Sequence, residues 1–485
     1  MVRDKLAYFV VSLSILSMLL TACGFGNTNT SNNANPTPTM TSQHTPTASM
    51  VPSDPTATPD PSSTPAARPS GEKSRMPSPT VEPREAARTR GHATYTGRVL
   101  DEDGKPVRLA WVYVDEAIGR TDEAGKFALQ APADARELTV MAPGYRKLTR
   151  KIADPNLGDV SLTPFVAKAV YVSGIGDPDV YRRFMRLIEE TELNAIVINV
   201  KNDDGKVWTS KVPLARQIGA SYEDFHLQEF VRDMHRRGIY VIGRFTTFRD
   251  PTLATARPDM AVRDIRGGVW EDNKGHRWVD PFNKKVWRYF GDLLEEIAAS
   301  GIDEIQFDYV RFPVDGDLSK VEYLTPSTRY NRPDTIEAFL RYASSRIRPH
   351  KVFISADTYG LTVWSEKEQG TGQVLERLAP YLDYYSPMIY PDHFAPGTGG
   401  YRIPSAHPYE IIYESVVRAK RRLRGDNVNT LVRPYLSAFP DTQYGQPFGL
   451  PQWLAQKRAA EDAGAHGWIY WDAALQYPDE LFRKE

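Results

Sequence analysis

From Phe165 to the carboxyl terminus, apolar β-rich runs alternate about eight times with amphipathic runs of helical period. Alternation of this kind favours a parallel sheet covered by helices. Eight strand–helix units in roughly 320 residues are typical of a closed barrel with long loops. An open doubly wound sheet is the alternative, but the first βα loop, Gly174-Ile175-Gly176, lacks the third glycine of a nucleotide-binding fingerprint. We therefore expect an α/β chain in which residues 165–485 form a (β/α)8 TIM barrel.

The predicted strands share a run of apolar or β-branched residues followed by polar residues. They are Ala169–Ser173, Ala195–Val200, Tyr240–Thr246, Glu304–Val310, Val352–Asp357, Tyr384–Tyr390, Leu431–Ser437 and Gly467–Trp471.

The amino terminus reads as an export and anchoring segment. Residues 6–20 are apolar and follow Arg3 and Lys5, which predicts a signal peptide over residues 1–22. The run is shorter than the roughly 20 residues that a membrane-spanning helix needs. The next residues, Leu20-Thr21-Ala22-Cys23, resemble a bacterial lipoprotein box. The resemblance implies that Cys23 is lipidated and that the protein is anchored to the cell membrane on its extracellular side. An uncleaved anchor with an incidental thiol is the alternative.

Residues 23–93 form a Thr-, Pro- and Ser-rich stretch with no Trp or Tyr and no Phe after Phe25. Such a composition buries too little apolar surface to offset the entropy of ordering. We expect a disordered tether between the anchor and the folded part of the chain.

Residues 94–164 have short alternating runs separated by Asp- and Gly-containing turns, which predicts a small antiparallel β sandwich. The pattern resembles the carboxypeptidase-regulatory-like domain. The resemblance rests on Gly97, Val99, Asp101, Gly104, Pro106, Ala110, Val112, Val114, Thr121, Asp122, Gly125, Phe127, Pro143, Gly144 and Tyr145. It implies a non-catalytic accessory module, with a plain structural spacer as the alternative.

Charge and cysteine content exclude several classes of protein. The chain has 60 Lys and Arg against 61 Asp and Glu, a net charge of −1, so nothing in its composition favours a nucleic-acid partner. A single cysteine excludes a disulfide framework and a multi-cysteine metal site. Histidines at metal-ligand spacing are also lacking, and we predict no metal and no cofactor. Asp203-Asp204 could bind a hard cation, although a solvated pair in a loop explains them as well.

Polar residues fall at the carboxyl ends of the predicted strands, where the active sites of such barrels lie. On the fourth strand, period-two alternation places Gln306 and Asp308 inward. A buried carboxylate needs a partner, and Arg311 is the candidate. The pair could serve chemistry or could simply order the loop.

The other strands add polar and aromatic candidates at the same rim. The fifth ends at Asp357 and the sixth leads into Tyr390 and Asp392. The candidates for substrate binding are Asn199, Lys201, Arg244, Arg311, Tyr390, Arg433, Trp471 and Asp472. An indole such as Trp471 can stack on the apolar face of a sugar, although it could equally fill the barrel.

Two carboxyl groups that flank a glycosidic bond are the minimum for its hydrolysis. Asp308 is the candidate nucleophile. Asp357, Asp392 and Asp472 remain candidates for the acid/base. Asp357 is preferred because its strand neighbours the fourth.

The barrel segment resembles a bacterial family of glycoside-hydrolase-like (β/α)8 domains that is distantly similar to the α-amylase-like barrels. The motifs that carry the resemblance are Asn199-Val200-Lys201, Ile305–Pro313, Tyr385–Pro391 and Gly467–Trp471. The resemblance implies hydrolysis of a carbohydrate, with Asp308 at the nucleophile position, but it does not supply the substrate. We predict that the substrate is an extracellular or cell-wall polysaccharide.

Three other functions remain open. A chitinase-like hydrolase would carry a catalytic Glu where this chain has Val310, which disfavours it. A cell-surface carbohydrate-binding lipoprotein would keep the aromatic cleft without needing acid/base carboxyls. A metal-dependent polysaccharide deacetylase is disfavoured by the lack of clustered histidines.

Overall fold

The computed structural model describes residues 91–425 and 428–484. The predicted signal peptide, Cys23 and nearly all of the predicted tether lie outside these ranges. Within them, no helix is both long and apolar enough to cross a bilayer.

Two small sheets come first in the described chain. Their strands are β1 (His92–Asp101), β2 (Trp111–Val114), β3 (Ala117–Arg120), β4 (Lys126–Pro132), β5 (Glu137–Met141), β6 (Leu148–Lys151) and β7 (Asn156–Leu162). One sheet has the order β4-β1-β7 and the other β3-β2-β5-β6. Alternate residues of both sheets, such as Val99 and Val140, share one buried cluster. The two layers therefore form a sandwich, as the alternation predicted.

The prediction that this sandwich is antiparallel is wrong for one pair of strands. β1 runs antiparallel to β4 but parallel to β7, with Val99 opposite Val160. After β4 the chain enters the other sheet, where it forms β5 and β6. It then returns to the first sheet as β7, which runs parallel to β1.

The strands of the larger region are β8 (Lys168–Val172), β9 (Ala195–Lys201), β10 (Tyr240–Thr246), β11 (Arg263–Asp264), β12 (Glu304–Asp308), β13 (Val321–Glu322), β14 (Phe353–Tyr359), β15 (Tyr384–Met388), β16 (Leu431–Val432), β17 (Tyr435–Ser437) and β18 (Trp468–Trp471). Apart from the short antiparallel pair of β11 and β13, they pair in parallel in the order β14-β12-β10-β9-β8-β18-β17-β15, and β14 also pairs with β15. β16 and β17 are two segments of one barrel strand, interrupted at Arg433 and Pro434. The sheet therefore closes into the predicted barrel of eight parallel strands.

Helices connect and cover these strands. They are α1 (Pro178–Glu190), α2 (Pro213–Gln217), α3 (Leu227–Arg236), α4 (Pro251–Ala256), α5 (Lys284–Ala298), α6 (Asn331–Ile347), α7 (Leu375–Leu378), α8 (Pro408–Arg422) and α9 (Leu450–Asp462). Their starts follow local chemistry: Asp177 accepts backbone N–H groups at the beginning of α1, and Asn283 does so for α5. Their buried faces pack against the outward residues of the strands, including Ile305 and Phe307.

The sandwich closes the amino-terminal end of the barrel. Tyr113 and Met141 belong to the same buried cluster as barrel-interior residues such as Phe353. The backbone N–H of Gly144 donates to the Tyr384 hydroxyl at 3.0 Å. Trp111 lies between two guanidinium groups, those of Arg120 and Arg348, at 3.9 and 4.8 Å from its ring centroid. The carboxyl-terminal end of the barrel is thus the end left for a site.

Candidate active site

Asp308 and Asp357 lie side by side at the carboxyl-terminal end of the barrel. β12 and β14 are neighbours, with Gln306 opposite Ser355 and Phe307 opposite Ala356, so the next pair in register is Asp308 and Asp357. Their side chains share the inward parity, and the two residues are only 7% and 2% exposed. Two buried carboxyl groups on adjacent strands carry a large desolvation cost unless each is paired or neutralised.

Asp308 is paired. The Arg244 guanidinium donates to its Oδ2 through Nε at 2.9 Å and through Nη2 at 2.6 Å. The backbone N–H of Tyr309 donates to Oδ1 at 2.6 Å. Tyr309 has φ of +49°, which ends β12 and turns this N–H toward the carboxylate. The arginine charge and three hydrogen bonds offset the burial of an ionised Asp308.

A second carboxylate holds Arg244 in place. Asp203 accepts from Nη2 of Arg244 at 3.1 Å and from Thr246 at 2.9 Å, and its other oxygen lies 2.9 Å from Arg249. Burial alone would raise the pKa of Asp203, but the Arg244 and Arg249 charges outweigh it and lower the pKa below its ordinary value. Asn199 accepts from Nη1 of Arg244 at 2.9 Å. Arg244 is thereby fixed from three sides.

Asp357 has the opposite environment. Its Oδ1 is buried without a hydrogen-bond partner among the described residues. Burial raises its pKa well above the ordinary value, and the neighbouring Asp308 charge raises it further. Arg244 and Arg433 act in the other direction but do not offset these effects. The raised pKa favours the protonated form of Asp357, which is the form that can donate a proton.

Aromatic side chains line the opposite part of the cleft. Trp471, which is partly exposed, stacks with Tyr390 at 5.9 Å and 29° and meets Phe439 edge-on at 5.4 Å. Tyr171 lies 6.5 Å from the Trp471 ring and accepts a hydrogen bond from Asn199 at 2.8 Å. Burial raises the pKa of Tyr390, and the charges of Asp357 and Asp308 add to the shift.

A family model described as "Putative glycosyl hydrolase domain" matches residues 169–477, from the first barrel strand to just beyond the last. The chain belongs to this family. The match supports a general glycosyl hydrolase-like function and agrees with the resemblance carried by Ile305–Pro313 and the other barrel motifs.

Several solved structures are similar to this chain. A hypothetical protein from Ruminiclostridium thermocellum is 35% identical, with 39% of this chain and 96% of that chain covered and a TM-score of 0.36. The PgaB (BpsB) glycoside hydrolase domain from Bordetella bronchiseptica is 13% identical, with coverage of 66% and 100% and a TM-score of 0.48. An alpha-galactosidase from Thermus thermophilus is 12% identical, with coverage of 76% and 71% and a TM-score of 0.40. No curated protein matches the chain.

Strand alternation predicted that Lys201 faces the cleft, but it does not. Its side chain lies between the strands of the barrel and the surrounding helices. Its Nζ donates to the Thr246 carbonyl at 2.7 Å and forms an ion pair with Asp250 at 2.9 Å, among Phe245 and Phe290. The register between β9 and β10 shifts near the end of β9, which breaks the period-two alternation before Lys201. The expected substrate-binding role is therefore excluded by its burial between the barrel and its helices.

Arg433 also lies away from the cleft. It is fully buried in the lower barrel, where it forms an ion pair with Glu304 and stacks on the Tyr384 ring at 4.1 Å. Its position on the strand faces the interior as expected, but near the closed end of the barrel. A substrate in the cleft would not reach it.

The sequence suggested that Arg311 pairs with Asp308, but the structure does not show this pair. Arg244 has that role, because the turn at Tyr309 carries Arg311 toward Trp278 and Tyr359. Arg311 lies among these rings, just beyond the carboxyl end of β12.

Asp392 and Asp472 order loops. Asp392 accepts from the backbone N–H and hydroxyl of Thr442 at 3.1 and 2.7 Å, and its Oδ1 is buried without a partner in the described chain. Asp472 accepts from the backbone N–H groups of Ala474 and Gln476 at 3.1 and 2.7 Å. Among the described residues, no hydrogen bond or ion pair joins Asp392 or Asp472 to the Asp308–Asp357 pair, so Asp357 is the better placed partner of Asp308.

The structure also brings in residues that the sequence did not single out as site residues. Tyr171 has the inward parity of β8, a signal that could have identified it. Arg249 and Phe439 follow the ends of their strands, where strand alternation no longer predicts which way a side chain points. The sequence favours a solvated loop position or a cation site for Asp203, whereas the structure pairs it with two arginines. In the described ranges, no cluster of three or more His, Cys, Asp or Glu side chains could hold a metal ion.

Proposed function

We propose that the protein is a glycoside hydrolase whose Asp308 is the nucleophile or charge-stabilising carboxylate and whose Asp357 is the general acid. The observation that carries the proposal is the contrast within one pair of adjacent carboxyls. Arg244 compensates the charge of Asp308, whereas burial beside Asp308 raises the pKa of Asp357 and favours its protonated form. Two carboxyls with opposite protonation states on one site are what glycosidic bond hydrolysis requires.

In this mechanism Asp357 protonates the glycosidic oxygen as the bond to the anomeric carbon breaks. Positive charge develops on the sugar ring, and the ionised Asp308 stabilises it or bonds to the anomeric carbon. Water then attacks the anomeric carbon, and the deprotonated Asp357 can accept its proton. Arg244 keeps the Asp308 oxygens oriented throughout, because Asp203 and Asn199 restrain the guanidinium.

The aromatic wall supplies the binding surface. A pyranose has an apolar face that packs on an indole or phenol ring. Trp471 offers a partly exposed ring that Tyr390 and Phe439 hold in place. A sugar stacked there would lie beside Asp308 and Asp357.

The substrate class follows from the predicted location. A lipid on Cys23 would hold the barrel outside the cell, where the available glycans are extracellular or cell-wall polysaccharides. Labelling with a radioactive fatty acid tests this part: Cys23→Ser should abolish incorporation and release the protein from the membrane fraction.

The activity is tested with the full-length protein on a panel of poly- and oligosaccharides, by release of reducing ends. The wild-type protein should cleave at least one substrate. Asp308→Asn and Asp357→Asn should each lose nearly all turnover, while Asp292→Asn, a carboxylate on the outer surface of α5, should retain it. Thermal unfolding of each variant separates lost chemistry from lost folding. Glycan binding that is equal in the wild type and Asp308→Asn, without turnover in either, would instead indicate a carbohydrate-binding protein.

A further inference from the structure

Arg311 is an arginine at the cleft that the mechanism does not use. It lies three residues beyond Asp308 and is only 4% exposed. Three aromatic rings surround its guanidinium: Tyr359 at 4.6 Å, Trp278 at 4.9 Å and Tyr309 at 5.2 Å from the ring centroids. Stacking of this kind fixes the plane of a guanidinium and leaves its edge free to donate hydrogen bonds.

Part of that edge has no partner. Nη1 donates to the Phe312 carbonyl at 3.0 Å. Nη2 lies 3.9 Å from Asp315, which is beyond hydrogen-bond distance, and the Asp315 side chain is 61% exposed. Nε and Nη2 have no hydrogen bond to a described residue, and neither atom is completely buried, so a ligand can reach both. These two N–H groups form the parallel fork that matches the two oxygens of a carboxylate.

Among the arginines around the cleft, Arg311 has the weakest carboxylate partner, the exposed Asp315 at 3.9 Å from its Nη2. Arg244 and Arg249 are compensated by Asp203 and Asp308. The raised pKa of Asp357 favours its neutral form, which reduces the negative charge beside Arg244.

Tyr359 links this arginine to the reacting groups. It lies two residues beyond Asp357. Burial raises the pKa of its phenol, the Arg311 charge lowers it, and the Asp315 and Asp308 charges raise it. One ring is therefore within electrostatic reach of both Arg311 and the proposed nucleophile.

We infer that Arg311 binds a carboxylate of the substrate through Nε and Nη2, and that the protein acts on a carboxylated glycan. The inference rests on the proposed function, since it names the substrate class of the same cleft. Two kinds of sugar supply this chemistry: a uronic acid, and a sugar that carries a lactyl ether acid such as muramic acid. A hydrogen-bonded charge pair of this type should favour the carboxylated sugar by about tenfold to a hundredfold in affinity.

The test uses pairs of glycans that differ only in charge. One pair is an oligogalacturonate and its carboxyl-reduced product, and the other is peptide-free peptidoglycan glycan strands with free or methylamidated lactyl groups. Binding is measured by calorimetry on full-length Asp357→Asn, in which a neutral amide replaces a neutral acid and cleavage is suppressed. In at least one pair, the carboxylated member should bind at least about tenfold more tightly.

Variants in the same background assign that preference. Arg311→Gln should remove it, with little change for the neutral member of the pair. Arg311→Lys should retain part of it, because the charge stays and the fork is lost. Arg329→Gln, an exposed arginine of the same loop, should bind like its parent.

Several results would overturn the inference: equal affinity within both pairs, no binding of any carboxylated member, or an equal loss for both members in Arg311→Gln. Turnover by the wild-type protein is recorded separately. A preference that depends on Arg311, without any turnover, would leave the subsite in place and refute the hydrolase. Turnover of charged and neutral members at equal efficiency would refute the subsite alone.

Discussion

Glu304 and Asp357 are both buried carboxyl groups inside the barrel, but they lie in different layers and have different surroundings. Glu304, near the sandwich, accepts hydrogen bonds from Tyr240 and Ser355 and forms an ion pair with Arg433. Asp357, at the open end, has an Oδ1 with no partner among the described residues. The lower carboxylate is fully satisfied and connects four strands. The upper one is costly to ionise, as the proposed role of Asp357 as a general acid requires.

The largest expected effect is on chemistry at the upper carboxyl. Asp357→Asn should lower kcat by about 10²- to 10⁴-fold, because the general acid is lost. Its thermal stability should change little, since an amide replaces a protonated acid of the same shape. The loss should be much smaller on aryl glycosides whose leaving group needs no protonation. An equal loss on both substrate types would contradict the assignment of Asp357 as the acid.

The reverse result is expected at the lower carboxylate. Glu304→Gln should reduce the free energy of unfolding by about 3 kcal/mol, because it leaves Arg433 as an uncompensated buried charge. The folded fraction should keep nearly wild-type kcat. Denaturant unfolding and active-site-normalised kinetics measure the two quantities. A kcat loss as large as that of Asp357→Asn would contradict the purely structural role of Glu304.

A smaller effect is expected where the sandwich meets the barrel. Trp111→Ala should cost about 2 kcal/mol of stability, because it removes a partly buried indole that packs between Arg120 and Arg348. Activity at low temperature should not change. Tyr95→Ala, a core substitution within the sandwich itself, is the matched comparison. If Tyr95→Ala destabilised the protein but Trp111→Ala did not, the contacts between the sandwich and the barrel would contribute little to stability.

The smallest effect is a dependence of stability on pH. The pKa of Asp357 is raised in the folded state, so the folded protein binds this proton more strongly than the unfolded chain. Its contribution is therefore most favourable at low pH and becomes less favourable as the pH rises from about 4, the ordinary value, toward the raised one. In Asp357→Asn this part of the dependence should disappear. The pH profile of kcat should fall on the alkaline side for the same reason, as the acid loses its proton.

Strand alternation predicted the barrel and much of its interior. Because inward and outward residues follow period two, Gln306, Asp308, Ser355 and Asp357 could be placed on the interior face from the sequence. Lys201 could not, since a register shift in β9 changed the face, and a single-residue shift leaves no mark in the pattern of apolar residues.

Partners were harder to predict than faces. The sequence paired Asp308 with Arg311 because the two are close along the chain, whereas the structure pairs it with Arg244 from the neighbouring strand. The left-handed turn at Tyr309 decides this, and a tyrosine gives no sequence signal for such a turn. Loop residues such as Arg249 and Phe439 depend on loop paths that no periodicity describes.

The interruption of the seventh barrel strand at Arg433 and Pro434 has a consequence for how the barrel assembles. Proline has no N–H to donate, so this strand makes a discontinuous ladder with its neighbour β15. The ion pair between Arg433 and Glu304 therefore helps to set the register of this strand. Glu304 lies about 130 positions earlier in the chain, so the contact forms late in synthesis. We expect that a nascent chain released before residue 431 would hold Glu304 without its counter-ion and remain an open sheet, whose closure waits for β18 to pair with β8.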